Sequence, residues 1–152
     1  MIAGIKNFFT QMIEPGLREP GVASQHALHL ATAALLLEMM RMDSSVTAEE
    51  TATVTKTLQS RFGLGADDVE TLMVLAADEA RQATDYFQFT SLINKSFSAE
   101  QRIQLVEYLW QVAFADGHLD AHELHFMSKI ADLLYVPHSA YIAAKQRARE
   151  RD

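Results

Sequence analysis

Three carboxylates that could bind a metal ion lie close together in the second half of the chain. They are Asp116, Asp120 and Glu123, within the segment DGHLDAHE. Carboxylate oxygens are the ligands that Ca²⁺ and Mg²⁺ prefer, with backbone carbonyls and waters completing the coordination. The spacing is not that of an EF-hand loop, which needs alternate acidic positions, a central glycine and a late glutamate. The sequence therefore predicts a divalent-cation site of another type, with Ca²⁺ or Mg²⁺ favoured over Zn²⁺.

A degraded copy of this acidic segment occurs earlier in the chain. At an offset of 73 residues, Asp43 aligns with Asp116 (116 − 43 = 73). Glu50 aligns with Glu123 at the same offset, while Thr47 replaces the middle carboxylate. Asp43 and Glu50 are therefore candidate metal ligands as well, in a site with fewer carboxylates. The repetition predicts two pseudo-equivalent halves.

Helix capping explains most of these residues without a ligand. The segments Asp120–Glu123 and Thr47–Glu50 each match a capping box, in which the first side chain accepts from a helix amide and the glutamate reaches back. Capping does not explain Asp116 and Asp43, because an aspartate at the C-terminal end of a helix meets the negative pole of the helix dipole. Each needs a turn hydrogen bond, an arginine partner such as Arg102, or a cation. Both interpretations stay open.

Histidines crowd the same region. His122 and His125 are one helical turn apart, and with Asp116 or His118 they could bind Zn²⁺. The zinc-protease signature is absent, since Phe126 stands where its second histidine belongs. We favour three exposed histidines on a solvated helix face.

Other catalytic motifs are missing from the sequence. The chain has no cysteine, which excludes thiolate metal sites and cysteine nucleophiles. It also has no phosphate-binding glycine loop, no serine elbow and no Glu-x-x-His pair of a di-iron bundle. The sequence therefore predicts a protein that is not an enzyme and has no cofactor other than the divalent cation.

Apolar periodicity predicts helices along the whole chain, and no segment alternates as a strand does. Gly63 or Gly65 is predicted to be a left-handed helix cap, and Ser98–Gln101 a capping box. The predicted fold is all-α, with about seven to eight helices in two pseudo-symmetric halves. Residues 24–152 are predicted to form this helical domain.

Residues 1–23 are predicted to be a separate amphipathic helix and linker. Six apolar residues form one stripe at helical spacing: Ile2, Ile5, Phe8, Phe9, Met12 and Ile13. Pro15 then ends the helix. Docking on the domain or on a protein partner is favoured over contact of residues 1–13 with a membrane surface. The reason is that the polar face offers only Lys6 as a cation.

The charge is acidic and unevenly distributed. The net charge is −7, with 18 acidic and 9 basic side chains in residues 1–136. An acidic body repels phosphate backbones, so no nucleic-acid partner is expected. The last 16 residues are basic, and their cations are predicted to complement the dipole of the last helix. Without a membrane span or signal peptide in the sequence, a cytoplasmic location is expected.

Three segments resemble the TerB family of tellurite-resistance proteins, in particular its short, stand-alone bacterial members. They are ALHLATAALLLEMMRMDSSVTAEE, DYFQFTSLIN and LWQVAFADGHLDAHELHFMSKIADLLYVPHSAYIAAK, within about residues 24–148. The resemblance implies an all-helical fold of two pseudo-symmetric halves, a link to tellurite and other stress resistance, and metal binding at the acidic turns. Related domains are fused to a membrane-anchored J-domain co-chaperone, which implies a role in protein interaction. Ser44 and Thr47 depart from the family pattern, which weakens the first turn as a metal site.

The leading hypothesis is a non-enzymatic, cytoplasmic stress-response module that binds a divalent cation or a protein partner through its acidic turns. The alternative is a structural interaction protein, a homodimer or a scaffold, whose acidic turns only cap helices. An enzyme acting on an oxyanion is disfavoured, because the chain offers no evident reductant.

Overall fold

The computed structural model describes residues 22–42, 47–77, 85–116 and 121–151 of the 152-residue chain. These residues form seven helices and no strand, which confirms the all-α prediction. The helices are Val22–Met42 (α1), Ala48–Phe62 (α2), Ala66–Ala77 (α3), Asp85–Ser96 (α4), Ala99–Asp116 (α5), Ala121–Leu133 (α6) and His138–Arg151 (α7). None of these helices is long and apolar enough to cross a membrane. The amphipathic helix predicted for residues 1–13 lies outside the described residues.

The chain divides into two compact units, Met1–Phe89 and Thr90–Asp152. In the first unit, α1 packs against α2 and α3. A helix that is apolar on every face must be covered on every face, and the apolar residues of α1 are buried on all its sides. The buried residues are Ala27, Leu28, Leu30, Ala31, Ala33, Ala34, Leu35 and Leu37. Helix α1 is therefore the core element of this unit.

Two histidines on α1 contact the neighbouring helices of the first unit. The His29 ring stacks on Phe62 of α2, with ring centroids 4.5 Å apart and planes 5° apart. Burial lowers the pKa of His29 below its ordinary value of 6.5, and the nearby His26 lowers it further. His26 lies closer to solvent, with its Nε2 3.7 Å from Oδ2 of Asp68 on α3. His29 therefore packs as a neutral ring against α2.

Gly63 ends α2 in the left-handed conformation, with φ of 63°, as the sequence predicts for Gly63 or Gly65. The amide of Gly63 donates to the carbonyl of Gln59. The Leu64 amide donates to the same oxygen at 3.2 Å. Glycine suits this position because it has no Cβ to clash there.

In the second unit, α5 packs against α6 and α7. Every residue of α5 from Leu105 to Ala113 is buried. The capping box predicted at its start is confirmed: the Gln101 amide donates to Ser98 Oγ at 3.2 Å, and the Ser98 amide donates to Gln101 Oε1 at 2.9 Å. Helix α7 contributes Tyr141, Ala144 and Ala148 to the core.

Helix α6 also ends in a left-handed cap, but its left-handed residue is a tyrosine. Tyr135 has φ of 57°. Its amide donates to the carbonyl of Asp132, and the amide of Val136 donates to that of Ala131, both at 3.0 Å. The left-handed conformation costs a residue with a Cβ about 1–2 kcal/mol. The chain thus carries local strain at Tyr135 that the equivalent cap at Gly63 avoids.

Candidate functional site

The first acidic turn is a helix cap in the structure. Helix α1 ends at Met42 and α2 begins at Ala48, with Thr47 as the N-cap residue in extended backbone. The Glu50 amide donates to Thr47 Oγ1 at 3.1 Å. The Glu50 carboxylate in turn accepts from the amide and the hydroxyl of Thr47, both at 3.2 Å. The capping box predicted for Thr47 and Glu50 is therefore confirmed, and one oxygen of this candidate metal ligand serves the helix.

Removing the cap hydroxyl should destabilise α2. We expect Thr47→Ala to lower the free energy of unfolding by about 1 kcal/mol, because the Glu50 amide loses its acceptor. Thr53→Ala is the matched control, since Thr53 is exposed within the same helix and its hydroxyl donates only to the carbonyl of Glu49. Urea unfolding followed by circular dichroism measures both changes. Equal effects of the two substitutions would contradict a capping role for Thr47.

The second acidic turn joins α5 to α6. Asp116 is the last residue of α5, Asp120 directly precedes α6, and Glu123 is the third residue of α6. The side chains of these three residues lie outside the described part of the chain, as do residues 117–120 and Asp43. The structure therefore gives the position of Asp116 and Glu123 on their helices and not the geometry of their carboxylates. The metal-site prediction stays a prediction.

The histidines are described only in part. His118 and the side chain of His122 lie outside the described residues. His125 is exposed, as predicted, and its ring lies edge-on to Phe126 with centroids 6.5 Å apart. Among the side chains that the structure describes, no group of three His, Asp or Glu residues is arranged to hold a metal ion.

Arg102 is not the partner of Asp116, so that suggestion from the sequence is wrong. Both residues lie on α5, which spans Ala99–Asp116. Fourteen residues of helix at 1.5 Å each separate them by about 21 Å, far beyond the reach of an arginine side chain. Arg102 Nη1 instead donates to Oδ1 of Asn94 at 3.2 Å, and Asn94 Nδ2 donates to the carbonyl of Leu133 at 2.9 Å. Arg102 therefore belongs to a network near the start of α5.

Cations of α7 lie over aromatic rings of α5. Lys145 Nζ is 5.0 Å from the centre of the Trp110 ring, and the Arg149 guanidinium is 5.7 Å from that of Phe114. The sequence had assigned these cations to the dipole of their own helix. Because Phe114 lies in the last turn of α5, Arg149 instead places positive charge beside the negative end of that helix. This charge favours an aspartate such as Asp116 at the same end.

Glu107 of α5 is a buried carboxylate that the sequence interpretation passed over. It is 3% exposed, and its Oε1 accepts from Arg147 Nε of α7 at 2.6 Å. Gln111 Nε2 lies 3.5 Å from its other oxygen. A buried carboxylate needs such a partner, since an unpaired charge in a protein interior is strongly unfavourable. The ion pair ties α7 to α5 on a side away from the rings.

Comparison with protein families identifies the chain. The family model described as tellurite resistance protein TerB matches residues 29–146. The chain belongs to the TerB family. The family assignment drawn from the sequence segments is thus confirmed, and it agrees with the all-α structure.

The TerB match includes both acidic turns. It runs from His29 on α1 to Gln146 on α7, and so contains Asp43, Glu50, Asp116 and the residues up to Glu123. The amphipathic segment 1–13 lies before the matched residues. The chain has no match among curated proteins or among solved structures.

Proposed function

We propose that this TerB-family chain is a non-enzymatic tellurite- and stress-resistance module of the cytoplasm that binds a divalent cation at its second acidic turn. Asp116, Asp120 and Glu123 would supply the carboxylates, with Ca²⁺ or Mg²⁺ as the ion. The same acidic surface is available for a protein partner. The TerB match over both turns is the observation that carries the proposal.

The helix boundaries support the second turn as the metal site. Only four residues separate the end of α5 from the start of α6, so the backbone of Asp116 and that of Glu123 belong to the two helices flanking one short connection. Three carboxylates on such a connection suit a hard cation, which takes oxygen ligands from carboxylates, carbonyls and water. Two carboxylates near the start of α6 also meet the positive end of its dipole.

The helix boundaries also support the proposed duplication. Helix α2 begins at Ala48 and α6 at Ala121, an offset of 73 residues (121 − 48 = 73). Helices α3 and α7 begin at Ala66 and His138, an offset of 72 (138 − 66 = 72). We infer that α1–α3 and α5–α7 descend from one unit in which each acidic turn had the same position.

Metal titration of the chelator-treated protein tests the proposal. We expect one of Ca²⁺, Mg²⁺, Mn²⁺ and Zn²⁺ to give saturable heat by calorimetry and to raise the melting temperature. A hundredfold excess over Kd stabilises a folded protein by about 2.7 kcal/mol. The double variant Asp116→Asn/Glu123→Gln should lose this response, because it removes two of the three carboxylates.

The matched control is Asp67→Asn/Glu70→Gln, which removes the same two charges from exposed positions of α3. This control should retain the wild-type titration. Loss of binding in both double variants would mean that general negative charge, and not the second turn, attracts the ion. A response to zinc alone would instead implicate the histidines.

A purely structural role is the second candidate, and the capping box at Thr47 and Glu50 favours it. If the second turn serves its helix in the same way, the protein is an interaction or dimerisation scaffold. A flat titration with all four metals, together with destabilisation by Asp120→Ala of about 1 kcal/mol, would support this candidate.

A further inference from the structure

The corner where α6 meets α7 keeps an exposed carboxylate at an unfavourable place. Asp132 lies in the last turn of α6, where the helix dipole is negative and disfavours an acidic side chain. Within the described ranges, no lysine or arginine forms an ion pair with it. Its charge contributes to the raised pKa of Tyr141, after the larger effect of burial, so it lies on the side of α6 that faces α7.

Tyr135 adds a second unfavourable feature three residues further on. Its left-handed backbone is one that glycine adopts more readily. Its side chain is 76% exposed, between Leu134 and Val136, which are both buried. Burial of its neighbours therefore holds a large aromatic ring in solvent. Local features that oppose stability are expected at functional sites, where another requirement offsets them.

The start of α7 extends this surface. His138 is exposed, with its ring stacked on Tyr141 at a centroid distance of 6.2 Å. Ile142 follows one turn later and is 39% exposed. The corner thus offers an aromatic face, an aliphatic side chain and an unpaired carboxylate beside the negative end of a helix.

We propose that this α6–α7 corner, formed by Asp132, Tyr135, His138 and Ile142, docks a basic segment of a protein partner. An arginine or lysine of the partner lies over the Tyr135 ring and beside Asp132, and an aliphatic side chain covers Ile142. Tyrosine is enriched at the energetic centres of protein interfaces. The net charge of −7 also steers a basic partner towards this chain.

The chain itself shows the contact that the proposal requires. Lys145 and Arg149 lie over the rings of Trp110 and Phe114 within the second unit. At Tyr135 the ring is exposed, and a cation from another molecule can take the same position. This inference is independent of metal binding at the second acidic turn.

A peptide titration followed by NMR tests the proposal on the full chain. The probe is an acetylated, amidated heptapeptide of leucine, alanine and two arginines, and its control is the same peptide with citrulline in place of arginine. We expect saturable shifts of the amide signals at Asp132, Tyr135 and Ile142 with the arginine peptide. The uncharged citrulline peptide should leave these signals unchanged.

Two variants of the chain make the test specific. Tyr135→Gly removes the ring and Asp132→Asn the charge, and each should weaken peptide binding about three- to fivefold. Tyr135→Gly should melt at or above the wild-type temperature, so its weaker binding does not reflect unfolding. Glu70→Gln removes one exposed charge from α3 and should bind as the wild type does.

Equal binding by Tyr135→Gly and Glu70→Gln would overturn the proposal, because attraction to general negative charge would then suffice. Sedimentation velocity of wild type and Tyr135→Gly supplies the second outcome. A dimer that dissociates on the glycine substitution would show that a second copy, and not a basic partner, covers the corner.

Discussion

Replacing Trp110 with alanine is expected to lower the free energy of unfolding by about 4 kcal/mol. The side chain is 1% exposed, and its ring lies 5.5 Å from that of Phe114 and 5.7 Å from that of Tyr141. Truncation removes the largest buried side chain of α5 and leaves a cavity between α5 and α7. The unfilled volume adds to the lost burial of apolar surface, so the effect exceeds that of a smaller core residue.

Trp110→Phe is the informative control. The indole N–H of Trp110 is buried and has no hydrogen-bond partner among the described residues. An unpaired buried donor costs about 1–3 kcal/mol, and phenylalanine removes it while it keeps an aromatic ring. We therefore expect Trp110→Phe to destabilise by about 1 kcal/mol or less. Equal destabilisation by phenylalanine and alanine would show that the indole N–H has a favourable partner.

The measurement is urea unfolding followed by far-ultraviolet circular dichroism. Fluorescence cannot be used for these two variants, because Trp110 is the only tryptophan of the chain. The same fact makes tryptophan fluorescence a specific probe of the α5–α7 contact in every other variant.

Local signals in the sequence were sufficient to predict the helices and several of their ends. Apolar spacing gives helices, and the pairs Thr47–Glu50 and Ser98–Gln101 form the predicted capping boxes. Gly63 takes the predicted left-handed conformation. These features depend on residues within one turn of each other, so sequence spacing alone specifies them.

The burial of α1 was harder to predict. The sequence interpretation placed one apolar stripe on this helix, through Leu28, Ala31 and Leu35. The structure also buries Leu30 and Leu37 on its other sides. Alanine occurs in exposed helices as often as in cores, so an alanine-rich helix does not reveal how many neighbours it has. That number depends on the packing of α2 and α3, which lies in the tertiary structure.

The α6–α7 corner left no signal in the sequence. A tyrosine is not expected in the left-handed conformation, and only the hydrogen bonds to Asp132 and Ala131 reveal the cap at Tyr135. The suggested pair of Arg102 with Asp116 was avoidable, because the rise of one helix already separates them. Contacts between helices, in contrast, depend on how the helices pack.

The ion pair of Glu107 with Arg147 is such a contact, because its partners are 40 residues apart in the sequence. Glu107 interrupts an apolar run of α5, and that position was the available sign of its burial. The Glu107 side chain is 4% exposed, whereas that of Arg147 is 47% exposed. The two ends of the pair are therefore unequal: water can solvate the free guanidinium but not the free carboxylate.

Removing the partner of the buried carboxylate should therefore be costly. We expect Arg147→Ala to lower the free energy of unfolding by about 3 kcal/mol, because Glu107 is left charged or must take up a proton in the interior. Arg149→Ala is the matched control on the same helix, with the same loss of charge from an exposed side chain. It should cost about 0.5 kcal/mol, the size of an exposed cation–aromatic contact.

The double variant Glu107→Met/Arg147→Met separates a stabilising pair from a buried charge that merely needs compensation. Methionine fills similar volume without charge, and replacing both partners of a buried ion pair by apolar residues is often neutral or stabilising. We expect the double variant to unfold within about 1 kcal/mol of the wild type. Urea unfolding followed by Trp110 fluorescence reports this contact directly. If Arg147→Ala and Arg149→Ala were equally mild, Glu107 would be reached by water, and the pair would hold α7 on α5 no more strongly than a surface ion pair does.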